Sequence, residues 1–184
     1  EVVPGSKLEE AVAQRAKALG RSLFDVRHPD RDFDVASGMP RRGRRLLTVG
    51  TDCSVGKMFT SLALEREMKA RGLKADFRAT GQTGILIAGG GVSVDAVVAD
   101  FISGATEWLA PEAETDHWDL IEGQGSLFHA SYAGVTLGLV RSSGKTAGCR
   151  RAVSLIPAAS AVSRSSHSPA GCGSGYSVSS TSTS

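Results

Sequence analysis

The stretch that decides the fold is Gly50-Thr51-Asp52-Cys53-Ser54-Val55-Gly56-Lys57. An apolar run over 46–49 precedes it and a helical pattern over 57–71 follows it, so the stretch joins a strand to a helix. Its glycines allow a turn that points backbone N–H groups inward, and the helix N-terminus adds partial positive charge. Lys57 adds a full positive charge. The stretch therefore predicts a loop that binds a phosphate or pyrophosphate group.

Two departures from the common phosphate-binding loop bear on the ligand. Five residues separate Gly50 from Gly56, where the common pattern has four, and this longer form resembles the loop of dethiobiotin synthetase. Met58 stands where Ser or Thr usually holds Mg²⁺, and Thr60 lies on another face of the helix. We therefore expect a loop that binds phosphates without the usual metal ligand, and we predict no metal site.

Strand and helix patterns alternate over residues 44–140. The predicted strands are 46–49, 75–80 and 118–121, and the predicted helices are 57–71 and 92–102. This alternation predicts an α/β fold, a P-loop NTPase-like parallel sheet with helices on both faces. Upstream, 8–19 has helical spacing that Gly20 ends, 22–26 is a candidate strand, and 28–45 has the composition of a linker.

Two further loops follow predicted strands. They are Gly81-Gln82-Thr83-Gly84 and Glu122-Gly123-Gln124-Gly125-Ser126. Ligands bind at the carboxyl ends of the strands in open α/β sheets, so all three loops are expected to face one pocket. The predicted cofactor-binding residues are Gly50, Thr51, Asp52, Cys53, Ser54, Val55, Gly56, Lys57, Met58, Gln82, Thr83 and Gln124.

Two side chains near the third loop are candidate catalytic residues. Glu122 ends an apolar strand, where a carboxylate serves as a general base or metal ligand, or else caps nearby backbone N–H groups. His129 is the other candidate base, although a lone histidine is more often structural. Asp95 and Asp100 are interpreted as the solvated face of the helix over 92–102.

Composition restricts the partners. The chain has 184 residues and a formal net charge of +2, which gives no support to a nucleic-acid partner. Its apolar runs are too short to cross a bilayer, and its first residues do not resemble a signal peptide. We therefore expect a cytoplasmic protein.

Three cysteines without a CxxC pair argue against disulfides and zinc. The basic run over 41–45 is interpreted as solvated, the alternative being an anion site.

Residues 141–184 differ in composition from the rest. All 19 Asp and Glu residues lie before position 141, and Ser, Ala, Gly and Thr dominate the remainder. Such a segment buries too little apolar surface to offset the entropy of ordering, so we expect disorder over most of it. The tripeptide Gly144-Lys145-Thr146 lacks a flanking strand and is interpreted as a chance echo of a phosphate loop.

Three motifs together resemble one family. They are the runs 48–58 (TVGTDCSVGKM), 79–88 (ATGQTGILIA) and 121–129 (IEGQGSLFH), and the run 132–137 (YAGVTL) fits as well. They are similar to the DgcN family of bacterial proteins, described as D-glutamate N-acetyltransferases. The resemblance covers roughly residues 20–140 and ends where the composition changes. We interpret that change as a shifted reading frame or an assembly error in the source sequence.

The resemblance implies a function and a domain plan. Residues 1–43 would be the end of a Rossmann-like N-terminal domain plus a linker, 44–140 the P-loop domain, and 141–184 a tail. The donor would be acetyl-CoA, held by its pyrophosphate, and the acceptor a small molecule, D-glutamate, with homo-oligomers possible. The alternatives are an ATP- and Mg-dependent ligase or NTPase of the dethiobiotin synthetase type, or a non-catalytic nucleotide-binding regulator.

Overall fold

The computed structural model describes residues 6–142 and the backbone of 152–156. The strands are β1 (Arg44–Gly50), β2 (Ala75–Arg78), β3 (Trp118–Ile121) and β4 (Ala152–Ile156). The helices are α1 (Lys7–Ala18), α2 (Lys57–Ala70), α3 (Gln82–Ala88), α4 (Ile102–Leu109) and α5 (Ala133–Ser142). Within these described parts, no helix combines the length and apolarity that a membrane span requires.

The four strands form one parallel sheet in the order β2-β3-β1-β4. In its centre, Leu47 of β1 is opposite Ile121 of β3, and on the other side Val49 is opposite Leu155 of β4. Because the strands are parallel, their carboxyl ends share one edge, and the loop after each of the first three strands begins there. The predicted α/β parallel sheet is confirmed.

Helices pack on both faces of the sheet because strand side chains alternate in direction. Leu47 and Val49 are each 1% exposed and share a core with Leu139 of α5. Thr48, between them, points to the opposite face, where its hydroxyl lies 2.9 Å from that of Ser61 in α2. The predicted helices 8–19 and 57–71 are confirmed as α1 and α2.

The predicted helix over 92–102 is wrong. Two short 3₁₀ turns, Val94–Ala96 and Ala99–Phe101, occupy most of this stretch, and α4 begins at Ile102. Between the turns, Val97 and Val98 have extended backbones, with ψ of 132° and 138°. Valine loses rotamer freedom inside a helix. A valine-rich stretch therefore adopts an extended backbone at little cost in free energy.

Other elements also differ from the sequence predictions. The stretch 22–26, predicted as a strand, has no regular structure, and Phe24 within it is 84% exposed. The loop predicted at 81–84 turns into α3 at Gln82. The sequence did not predict β4, which lies in the tail expected to be disordered. Residues 141–142 of that tail end α5, and the remainder of it, including the tripeptide at 144–146, falls outside the described residues.

The basic run over 41–45, whose last two residues begin β1, is partly buried, which corrects its interpretation as a solvated stretch. The Arg45 side chain is 1% exposed and its Nε lies 4.0 Å from the buried carboxylate of Asp119. It donates to the backbone carbonyls of Ala110 at 3.3 Å and Pro111 at 2.8 Å. Arg41 donates to the carbonyl of Glu107 at 2.9 Å. These arginines attach residues 41–45 to the end of α4.

Candidate functional site

A cavity of about 370 Å³ lies over the loop between β1 and α2. From this loop and the first turn of α2 it is lined by Cys53, Ser54, Gly56, Lys57, Met58 and Phe59. From the loop after β3 it is lined by Glu122, Gly123, Gln124 and Gly125. Two of the three loops that the sequence placed at one edge of the sheet therefore share a cavity.

The backbone of the first loop suits an anion. Ser54 has φ of 56° and Gly56 has φ of 96°, left-handed conformations that turn successive N–H groups toward one side. Gly56 is the N-cap of α2 and provides no side-chain hydrogen bond to the first turn. The N–H groups at the start of this 14-residue helix are thus available for an anionic ligand.

Lys57 brings a positive charge into the cavity wall. It is 7% exposed, and its Nζ donates to the backbone carbonyl of Asp52 at 3.0 Å. Burial lowers the pKa of Lys57, since a buried ammonium loses hydration, while Cys53, Asp52 and Glu122 act in the opposite direction. An anion bound beside it would restore part of the lost charge stabilisation.

The first and third loops are in direct backbone contact. Leu127 donates its N–H to the carbonyl of Gly50 at 2.9 Å, and the Ser126 hydroxyl donates to the carbonyl of Thr51 at 2.8 Å. A Cβ at Gly123 would lie 1.6 Å from the carbonyl oxygen of Thr48, so only glycine allows this approach. Gly123 therefore lets the third loop approach the end of β1, directly before the first loop.

Glu122 joins the second loop to the third. It is 3% exposed, and its Oε2 accepts the N–H of Thr80 at 2.9 Å and that of Gly81 at 3.0 Å. Burial raises the pKa of Glu122, an effect that these hydrogen bonds and Lys57 partly offset. A Cβ at Gly84 would lie 2.3 Å from the same oxygen. The carboxylate is thus a cap of backbone N–H groups and also a wall of the cavity.

A second cavity of about 340 Å³ adjoins the first. It is lined by Met58, Gly81, Gln82, Thr83, Asp95, Glu122 and Gln124. Met58, Glu122 and Gln124 line both cavities, so the two are contiguous and Glu122 lies at their boundary.

The structure separates the two candidate bases. His129 is exposed, and its ring stacks on that of Tyr132 with centroids 4.7 Å apart. Its Nδ1 accepts the N–H of Ser131 at 3.3 Å. His129 lies outside the lining of both cavities, whereas Glu122 lines both.

The predicted binding residues fall into two groups. Those that line a cavity are Cys53, Ser54, Gly56, Lys57, Met58, Gln82, Thr83 and Gln124. Those that shape the loop without lining either cavity are Gly50, Thr51, Asp52 and Val55. A Cβ at Gly50 would lie 2.5 Å from Cγ2 of Val55, which shows how tightly this second group packs.

Sequence reasoning missed two polar or aromatic residues that line the cavities. Asp95 was assigned to the solvated face of a helix that does not form, so its position beside the second cavity was not foreseen. Phe59 follows Lys57 by two residues and is 75% exposed at the rim of the first cavity. A large apolar side chain in the first turn after a phosphate loop was the signal that could have identified it.

Comparisons with known proteins show which family and which proteins this chain resembles. A family model described as a domain of unknown function, the DUF1611_C P-loop domain, matches residues 34–147. A D-glutamate N-acetyltransferase of Tritonibacter scottomollicae is 62% identical over 132 residues, which are 72% of this chain and 40% of that protein. A D-glutamate N-acetyltransferase of a Pseudoalteromonas species is 62% identical over 122 residues, 66% of this chain and 37% of that protein.

A solved structure covers a similar region. The crystal structure of a DUF1611 family protein from Anabaena variabilis is 41% identical, with a TM-score of 0.66, over 78% of this chain and 41% of that chain. The chain spans about 40% of the length of the curated relatives that it matches.

Proposed function

This chain belongs to the DUF1611 family, whose P-loop domain it carries, and from that premise we propose that it is an acetyl-CoA-dependent N-acetyltransferase acting on D-glutamate. The family match and the names of the relatives confirm the resemblance read from the sequence motifs. The observation that carries the proposal is the pair of contiguous cavities that meet at Glu122. Two adjoining cavities with a buried carboxylate between them suit a transfer between two bound molecules.

The first cavity is the proposed site of the donor. The N–H groups at the start of α2 and the ammonium of Lys57 are hydrogen-bond donors of the kind that bind a pyrophosphate. Met58, in place of a hydroxyl residue, favours a pyrophosphate bound without Mg²⁺. Acetyl-CoA carries such a pyrophosphate and supplies the acetyl group as an activated thioester.

Glu122 is the proposed general base. The acceptor nitrogen attacks the thioester carbonyl, so that a C–N bond forms, the C–S bond breaks and the sulfur leaves as the thiolate. The carboxylate of Glu122 takes the first proton from the acceptor ammonium before attack, and the leaving thiolate takes the second proton as the amide forms. The raised pKa of Glu122 brings it closer to the working pH of a base. His129 is the less suitable base because it lies outside the lining of both cavities.

The negative charge that develops on the carbonyl oxygen requires hydrogen-bond donors. Among the N–H groups of 123–126, that of Gly123 donates to the Thr48 hydroxyl at 3.1 Å and that of Ser126 to the carbonyl of Tyr132 at 3.4 Å. The N–H groups of Gln124 and Gly125 make no hydrogen bond within the described part of the chain. We assign oxyanion stabilisation to these two.

A single substitution tests the placement of the donor. We expect Lys57→Met to raise the KM for acetyl-CoA about 10- to 100-fold, the effect of losing one charge-assisted hydrogen bond. Acetyl-pantetheine lacks the phosphates, so its KM should be the same in wild type and variant. The measurement is the rate of thiol release with D-glutamate as acceptor.

Lys69→Met is the matched control, because Lys69 lies on the same helix but is exposed and outside both cavities. It should leave both KM values unchanged. An equal loss with acetyl-CoA and acetyl-pantetheine in Lys57→Met would contradict the assignment of the pyrophosphate to this loop. The absence of D-glutamate-dependent thiol release in the wild-type chain would contradict the proposed activity itself.

A further inference from the structure

Asp95 is an exposed side chain on a firmly held backbone. Val92 donates its N–H to the carbonyl of Ala79, and Val94 donates to that of Thr80, both at 3.0 Å. The side chains of Val92 and Val94 are 2% and 0% exposed, so the segment is anchored in the core at the end of β2. Its position beside the second cavity is therefore fixed by the fold.

The orientation of the Asp95 carboxylate is fixed as well. Ser93 is 2% exposed, and its hydroxyl donates to Oδ1 of Asp95 at 2.5 Å. This bond occupies one oxygen and leaves the other free to accept from a ligand in the cavity. Within residues 6–142, Asp95 forms no ion pair, so its charge has no cationic partner from this part of the chain.

The cavity beside Asp95 holds a second carboxylate and several neutral polar groups. Glu122, which is 3% exposed, lines the side toward the donor cavity, and its Oε2 is occupied by backbone N–H groups. Gln82, Thr83 and Gln124 add amide and hydroxyl groups, which both donate and accept hydrogen bonds. These groups suit an amino acid ligand, whose ammonium would bind a carboxylate and whose carboxylates would accept hydrogen bonds from the amides and the hydroxyl.

We propose that the second cavity is the acceptor subsite and that Asp95 binds the ammonium group of the amino acid there. This inference rests on the proposed function and adds to it a residue that selects amines. An ammonium held between Asp95 and Glu122 lies at the boundary with the first cavity, the proposed site of acetyl-CoA. When the ammonium passes a proton to Glu122, the nitrogen gains the lone pair that forms the C–N bond.

The test uses Asp95→Asn in the full 184-residue chain, with Asp100→Asn as the matched control. Asp100 is also exposed and lies in the next 3₁₀ turn, but it lines neither cavity. We expect Asp95→Asn to raise the KM for D-glutamate about 10- to 100-fold while the KM for acetyl-CoA is unchanged. Asp100→Asn should leave both values at the wild-type level. A KM for D-glutamate that is equal in the two variants would overturn the inference.

Calorimetric binding separates this inference from the proposed function. Wild type should bind D-glutamate more tightly than glutarate, which has the same carboxylates without the amine, and Asp95→Asn should abolish that preference. If the wild-type chain shows this amine preference but no acetyl transfer, the subsite stands and the proposed activity fails. If wild type shows no preference for the amine, the subsite is wrong, whatever the turnover.

Discussion

Glu122 and Lys57 are two buried ionisable side chains that line the first cavity, and their charges act on each other. Burial raises the pKa of Glu122 and lowers the pKa of Lys57, so the fold disfavours the charged form of each. Because opposite charges attract, the charge on each side chain lowers the free-energy cost of burying the charge on the other. A site of this kind suits proton transfer and anion binding, which are the roles proposed for Glu122 and Lys57.

The role of Glu122 as a base predicts a large loss of rate without a loss of fold. In Glu122→Gln, the amide oxygen can still accept the N–H groups of Thr80 and Gly81, which hold the second loop. We expect kcat to fall about 10²- to 10⁴-fold, while the thermal midpoint at neutral pH stays equal or rises.

The expected stability follows from the sign of the pKa shift. A carboxyl group whose pKa is raised on folding contributes stability below its unfolded pKa, and that contribution is lost as pH rises through the folded pKa. The neutral glutamine avoids this loss. Wild-type rate should fall as pH drops through the raised pKa of Glu122, and the variant should lack this acid limb.

Glu114→Gln, an exposed change outside both cavities, is the control for Glu122→Gln. It should keep wild-type kcat and pH profile. A variant at Glu122 that retains wild-type kcat would show that this carboxylate serves only as a backbone cap.

The binding role of the first loop could be predicted from the sequence because the residues that indicate it are close together in the chain. Glycine spacing, the lysine and the flanking strand and helix are all visible within about a dozen positions. The roles of Asp95 and the buried Arg45 could not be predicted in this way, since each depends on residues that are distant in sequence. The cavity beside Asp95 is also lined by Met58 and Glu122. Arg45 contacts Pro111, 66 positions away, and no local pattern encodes that contact.

At the scale of elements, Arg45 connects β1, β3 and the end of α4. Its guanidinium lies 4.0 Å from Asp119 of β3 and donates to the carbonyls of Ala110 and Pro111. Without Arg45, Oδ2 of Asp119 loses the guanidinium beside it, although Arg78 still pairs with Oδ1 at 2.7 Å, and the two carbonyls lose their donor. Such losses in a buried site are strongly destabilising. The adjacent Arg44 is exposed and lies over the ring of Trp118, 5.3 Å from its centroid.

These neighbouring arginines give a matched pair of substitutions. We expect Arg45→Met to lower the free energy of unfolding by about 3–5 kcal/mol. Arg44→Met should cost no more than about 1 kcal/mol, the value of an exposed cation–π contact. Urea denaturation of both variants measures the difference, and equal costs would contradict the role given to Arg45.

Elements with strong local patterns were predicted well, and those that depend on distant pairing were not. The strand 118–121 has the predicted bounds, and α2 ends at Ala70, one residue before its predicted end. The 22–26 stretch is apolar enough for a strand but has no strand beside it. β4 exists because its backbone pairs with β1, and a composition of Ser, Ala and Gly around it gave no sign of this pairing.

At the scale of the molecule, the parallel sheet gathers three loops at one edge, and both cavities lie among them. This arrangement follows from the α/β class, which the sequence predicted, whereas the division into two contiguous cavities was visible only in the structure. We propose that the first cavity binds the pyrophosphate of acetyl-CoA without Mg²⁺.

The thermal unfolding midpoint, measured alone, with acetyl-CoA and with Mg-ATP, tests that claim most directly. A ligand at a hundredfold excess over its dissociation constant stabilises the folded state by about 2.7 kcal/mol, which corresponds to a rise of roughly 5–10 °C for a chain of this size. We predict this rise with acetyl-CoA in the presence of EDTA, and its loss in Lys57→Met. A rise with Mg-ATP alone, or no rise with either ligand, would contradict the claim.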